Sequence, residues 1–99
     1  LKELRQHMGG LGVNGVALRF RGHEFMEGEF AGTDNAVSRL SVRLCKEAAD
    51  ACQALGGQVV TIWLGFDGFD YPFQVDYEKN WNIIVRSFQE IADYAGERA

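Results

Sequence analysis

Two stretches of the chain hold most of the side chains able to do chemistry. Between Arg21 and Asn35, and again between Phe66 and Asn80, the sequence collects Glu24, Glu27, Glu29, Asp34, Asp67, Asp70, Asp76 and Glu78, with only Arg21 and Lys79 against them. Eight acids facing two bases disfavour an anionic substrate and suit a divalent cation or a neutral ligand. The same stretches contain Phe25, Phe30, Phe66, Phe69, Tyr71, Phe73 and Tyr77, seven of the twelve aromatic residues. Rings beside carboxylates fit a polyhydroxylated ligand, whose C–H faces pack on the rings while its hydroxyls find acceptors. A subunit interface, or packing within the loops, accounts for the rings equally well.

Taken singly, most of these residues have simpler roles. His23 and Glu24 are adjacent, and neighbours in sequence rarely converge on one metal, so they read as solvated loop residues. Asp67-Gly68 is first a turn signal. Asp34 or Asn35, and Asn80, stand where helix N-caps belong. Tyr71-Pro72 holds the one proline, and only about 5% of such bonds are cis. Cys45 and Cys52 are seven residues apart in one helical pattern, which separates them by roughly 10 Å, too far for a disulfide. No C-x-x-C motif exists, and His7 and His23 lie in other segments, so zinc has no ligand set. Two small buried thiols in a reduced, cytoplasmic protein are the expectation.

Trp63 and Phe20 are the candidate binding residues. Trp63 ends a strand pattern in step with Val59 and Thr61, and Phe20 ends another in step with Val16 and Leu18. Two aromatics at the C-terminal ends of neighbouring parallel strands would make a pocket wall, with core packing as the alternative. Arg19 alternates with Leu18 and Phe20 and is expected to point away from the surface they contact.

The elements that position these residues follow from periodicity. Leu1, Leu4 and Met8 form a short helical stripe ended by Gly9-Gly10. Val13–Phe20 and Val59–Gly65 read as strands, nearly apolar throughout, and such strands have both faces covered, as in parallel sheets wrapped by helices. Between them, Val37, Leu40, Leu44, Ala48, Ala51 and Leu55 mark a helix over 36–55 that stops at Gly56-Gly57. Trp81, Ile84, Val85, Phe88, Ile91 and Ala92 mark a last helix, ending near Gly96. The order α-β-α-β-α predicts an α/β fold of parallel βα units. A helix end, a glycine pair and a buried strand recur in MGGLGVNGVALRF and LGGQVVTIWL, as expected of repeated units. Helix-to-strand connections are short, Gly9–Gly12 and Gly56–Gln58, whereas the strand-to-helix loops run fifteen residues each. Long loops on the strand C-terminal side mark the functional face of such folds.

Composition bounds the function. The chain has 99 residues, 46% hydrophobic and 24% charged, with net charge −4 and scattered basic residues, which makes nucleic acid an unexpected partner. No apolar run approaches the roughly 20 residues of a membrane span, and no signal-peptide pattern is present. Two strands would leave unpaired edges, and the sequence opens on Leu1 inside a helical pattern. The expectation is a single segment, 1–99, of a larger α/β protein that forms a homo-oligomer.

From Phe20 to Tyr94 the sequence resembles the xylose isomerases and related sugar isomerase TIM barrels. In xylose isomerases a strand ending N-L-F-T-H-P precedes an F-x-x-G turn and a T-N-D or T-N-P-D helix start. Here Leu18-Arg19-Phe20 precedes Phe25-Met26-Glu27-Gly28, Phe30 and Thr33-Asp34. The family continues with a helix ending L-G-G and a strand V-L-W-G-G-R-E-G. This chain has Leu55-Gly56-Gly57, then Thr61-Ile62-Trp63-Leu64-Gly65-Phe66-Asp67-Gly68, and later Asp93-Tyr94-Ala95 where the family has D-Y-A.

The resemblance implies a partial (β/α)8 barrel whose parent interconverts an aldose and a ketose with Mn²⁺, Mg²⁺ or Co²⁺. It implies that Phe20 and Trp63 match the Phe and Trp that shape the family's sugar site. Phe66-Asp67 replaces the Arg-Glu of R-E-G, and DGFDYPFQVDY is closer to the broader isomerase and epimerase branch. The family's proton-shuttling His precedes this stretch, and its Lys and its Glu, Asp and His metal ligands follow it, so this chain alone is expected to be inactive. A sugar epimerase of the same superfamily, or a non-catalytic binding or self-association module, are the other readings.

Overall fold

Helix α1 (Lys2–His7), strand β1 (Gly15–Arg19), helix α2 (Asn35–Ala54), strand β2 (Val59–Trp63) and helix α3 (Tyr77–Arg98) follow one another in the predicted order. They are seen in a computed structural model that describes residues 2–22, 25, 30, 35–63 and 76–98. The two strands pair in parallel, with Gly15 opposite Val59, Ala17 opposite Thr61 and Arg19 opposite Trp63. A parallel pair needs a crossover, and α2 supplies it. Gln58 starts the pairing by donating its backbone N–H to the Asn14 carbonyl at 2.8 Å. Gly15 is required there, because a Cβ at that position would stand 2.5 Å from the Val59 carbonyl oxygen.

Helix α2 packs against the sheet and α3, burying Ser41, Val42, Cys45, Ala48, Ala49 and Cys52. Of the expected stripe, Ala48 and Leu55 are buried, whereas Val37, Leu40, Leu44 and Ala51 are only partly so, which rotates the buried face. The sheet selects the small side chains, since they let backbone and strand approach closely. Ser41 is fully buried and donates its hydroxyl to the Val37 carbonyl at 3.0 Å, which satisfies the one polar group in the stripe. The helix stops as its glycine pair predicts. Gly56 takes φ +77°, its N–H bonds the Gln53 carbonyl at 3.1 Å, and the Gly57 N–H bonds the Cys52 carbonyl at 2.9 Å. These are the two hydrogen bonds of a Schellman cap.

The core joins the helices to one sheet face. Phe30, Val42, Cys45 and Ile91 are buried together, with Leu18, Phe20, Ile62, Ile84 and Phe88 packed against them. Burial of each large apolar side chain contributes about 1.5–3 kcal/mol. Three ring pairs tie the first long loop into this core. Phe20 lies 5.3 Å from Phe25 and 5.5 Å from Phe30, and Phe30 lies 5.1 Å from Phe88.

Four expectations are corrected. The strands are not covered on both faces: exposed and partly buried residues alternate along each, because the described helices cover one side only. Helix α3 starts at Tyr77, ahead of Asn80, because Asp76 caps it and accepts the Lys79 N–H on Oδ1 at 3.1 Å. Of its expected apolar face, Ile84, Phe88 and Ile91 pack inward, whereas Trp81 and Val85 are exposed. At 3.6 residues per turn Val85 sits about 90° around the helix from the centre of the packed row, and Trp81 about 50°. Of the Leu1–Leu4–Met8 stripe, Leu4 is 52% exposed and Met8 only partly buried, while Leu1 lies outside the described residues.

On the outer side, α2 and α3 are clamped by polar contacts. Glu90 accepts from Lys46 at 2.9 Å and from Arg39 at 3.1 Å, and Tyr94 donates to Asp50 at 2.8 Å. The Lys46 ammonium, and after it the Arg39 guanidinium, hold the Glu90 carboxyl below its ordinary range.

Candidate functional site at the strand ends

Parallel strands present their C-terminal ends together, and here those ends are Arg19 and Trp63. Their register puts the two side chains on the same sheet face, the one turned away from α2 and α3. The Arg19 guanidinium lies over the Trp63 ring, 4.7 Å from its centroid. Trp63 remains 60% exposed, so the indole offers a platform to solvent. Arg19, Phe20, Arg21 and Trp63 together line a shallow cavity of about 220 Å³.

Phe20 stands on the opposite face from Trp63. The alternation that exposes Arg19 sends Phe20 toward the helices, where it packs with Phe25 and Phe30. The two aromatics therefore do not form one wall, although both border the cavity. Arg19 points away from the Leu18–Phe20 face, as its place in the alternation predicts. Its position opposite Trp63 depends on cross-strand register, which neither strand encodes alone. Arg21, two residues further on and exposed, also borders the cavity and was not a candidate by sequence.

The loop residues divide. Phe25 and Phe30 are buried, so loop-internal packing accounts for both. Asp76 caps α3, and Tyr77 and Glu78 belong to its first turn. His23, Glu24, Glu27, Glu29, Asp34, Phe66, Asp67, Phe69, Asp70, Tyr71, Pro72 and Phe73 lie outside the described residues. Among the described residues no three His, Cys, Asp or Glu side chains group to hold a metal ion. Those residues do not furnish the divalent-metal site that the resemblance implies for the parent. Cys45 and Cys52 are buried free thiols, as expected. Burial pushes the Cys45 thiol up to about 11, and Cys52 donates to the Val59 carbonyl at 3.4 Å. Neither faces the strand-end cavity. No described helix is long and apolar enough to cross a membrane.

Comparison with known proteins agrees with the fold. No curated protein matches the chain. Against protein families, residues 1–99 match the xylose isomerase-like TIM barrel. The match spans the chain and meets two parallel strands joined through a helix, so the chain belongs to the xylose isomerase-like TIM barrel family.

Proposed function

We propose that this chain is a segment, 1–99, of a (β/α)8 sugar isomerase that interconverts an aldose and a ketose. The observation that carries the reading is the position of Trp63, an exposed indole at the C-terminal end of a parallel strand in a chain of this family. In the proposed site the sugar's apolar face stacks on Trp63, and Phe20 shapes the cavity edge while anchoring the first loop to the core. Stacking excludes water from one side of the sugar carbon chain, which protects a hydrogen shift between neighbouring carbons from exchange.

The parent's metal, Mn²⁺, Mg²⁺ or Co²⁺, would be held by residues other than those described. Two buried free thiols favour a reducing compartment, and the cytoplasm is the proposed location. The sheet face carrying Val59 and Trp63, 51% and 60% exposed, favours association with further strands or with a second copy. We therefore propose that the chain self-associates when isolated and does not turn over sugar by itself.

The test is to express the open reading frame around this segment and follow aldose–ketose conversion by ¹³C NMR, beside the 99-residue chain alone. The account expects conversion by the longer protein that stops on chelation and returns with Mn²⁺. Conversion indifferent to chelation, or sustained turnover by the chain alone, contradicts it. An isomer differing only in configuration at one carbon as the product would assign the protein to the epimerase branch.

A further inference from the structure

We infer that the isolated chain docks copies of itself head to tail, and that the ring closes at four copies. The β2 edge and outer flank of α3 of one copy meet the β1 edge and outer flank of α2 of the next. The inference names the surfaces of the self-association proposed above, and it needs no sugar chemistry. It starts from an area. The chain exposes 7145 Å², whereas a self-contained folded protein of 11.1 kDa exposes about 5,650 Å². The excess, about 1,500 Å², is close to twice the roughly 800 Å² that each partner contributes to a standard interface. Two interfaces per copy are what a head-to-tail assembly needs.

Apolar side chains mark where the two lie. On α3, Trp81 and Val85 are 67% and 46% exposed. At 3.6 residues per turn they sit about 140–180° around the helix from Glu90 and Tyr94, which bind α2. On α2, Val37 and Leu44 are only partly buried, and they sit about 120–180° from Arg39, Lys46 and Asp50, which bind α3. The helix pair therefore carries an apolar flank on each side, and the two flanks differ. The strands share this arrangement: in the two-stranded sheet β1 and β2 each keep one outer edge unpaired among the described residues.

The pairing of β1 with β2 already shows how one unit takes the next. A helix end, a glycine pair and a strand recur in MGGLGVNGVALRF and LGGQVVTIWL, so β1 of a second copy suits the outer edge of β2 as β2 suits β1. Repeating that step brings α2 of the second copy beside Trp81 and Val85. A two-fold dimer would instead join like edges and leave the other edge and flank of both copies exposed. Parallel strands joined through helices close into a barrel at eight, and two strands per copy make that four copies.

The experiment is sedimentation velocity and native mass spectrometry of the 99-residue chain from micromolar to millimolar concentration. The largest species is expected at four times the 11.1 kDa chain mass. A chain that stays monomeric, settles at two copies or grows past four overturns the inference. Val85→Asp on α3 and Val37→Asp on α2 each place an unpaired charge in one contact, and each should weaken assembly about tenfold or more. Mixed, the two variants keep one intact contact, between the α3 flank of the Val37→Asp copy and the α2 flank of the Val85→Asp copy. The mixture should form a dimer of one each, with circular dichroism checking that each variant is folded beforehand. Folded variants that stay monomeric when mixed, or a Val85→Asp chain that assembles as before, overturn the head-to-tail contact. None of these outcomes reads sugar conversion, so the inference and the isomerase reading fail separately.

Discussion

Replacing Phe20 and Trp63 one at a time separates the two sides of the sheet. Phe20 is partly buried and makes ring contacts at 5.3 and 5.5 Å with Phe25 and Phe30. Each such pair is worth about 0.5–1.5 kcal/mol beyond its area, and partial burial of the ring adds about 1–2 kcal/mol. Phe20→Ala should therefore cost about 2–5 kcal/mol. Trp63 is 60% exposed, and its contact with Arg19 is a surface cation–π pair. Trp63→Ala should cost about 1 kcal/mol or less. With a urea slope of about 2 kcal/mol/M, the midpoint falls by about 1–2.5 M for Phe20→Ala and by about 0.5 M or less for Trp63→Ala. The assay is urea denaturation followed by far-UV circular dichroism at one protein concentration. Sugar contact should respond the other way, with Trp63→Ala losing it. Equal costs, or a larger cost at Trp63, would refute the assignment of the two rings to opposite faces.

Three more outcomes follow from the packing. Phe30 is fully buried between Phe20 and Phe88, so Phe30→Ala should cost about 3–5 kcal/mol in the same denaturation, and a cost below about 1 kcal/mol would remove it from the core. Glu90 titrates below its ordinary range in the folded chain, so its pairing with Lys46 and Arg39 stabilises above the unfolded carboxyl value and is lost as pH falls through the lowered folded one. At 38% exposure the effect is about 1 kcal/mol or less, so Glu90→Gln should destabilise slightly at neutral pH and not at all in strong acid, with the gap narrowing in high salt. Cys45 is buried with its thiol raised to about 11, so alkylation at pH 8 should proceed only in denaturant, and rapid labelling of the native chain would contradict that burial.

The order of elements and both glycine stops were readable because each has a local cause: a repeat of apolar residues, or a position that needs positive φ. The buried cysteines were readable for the same reason. Face assignment in the strands was not. VALRF and VVTIW carry apolar residues on both sides, so alternation within one strand gives no absolute direction. Each aromatic was read against its own strand, and only the register Arg19↔Trp63 shows that Phe20 falls on the other side. A usable signal was Arg19 itself, since a charge at a strand end marks the face away from the helices. On α2, Ala48 and Leu55 are buried as the apolar spacing predicts, whereas Leu40 and Leu44 are only partly so, because close packing favours the smaller Ser41 and Cys45. Asn80 is the cap that the sequence suggests for α3, but Asp76, an equally good capping residue four positions earlier, takes that place.

The most direct test of the central claim is a nuclear Overhauser spectrum of the labelled chain across the ends of β1 and β2. The account predicts parallel cross-strand contacts in the observed register, with the Arg19 side chain close to the Trp63 indole and the Phe20 ring close to Phe30. Contacts between the Phe20 ring and the Trp63 indole, without Arg19, would put the aromatics on one wall and contradict the site described here.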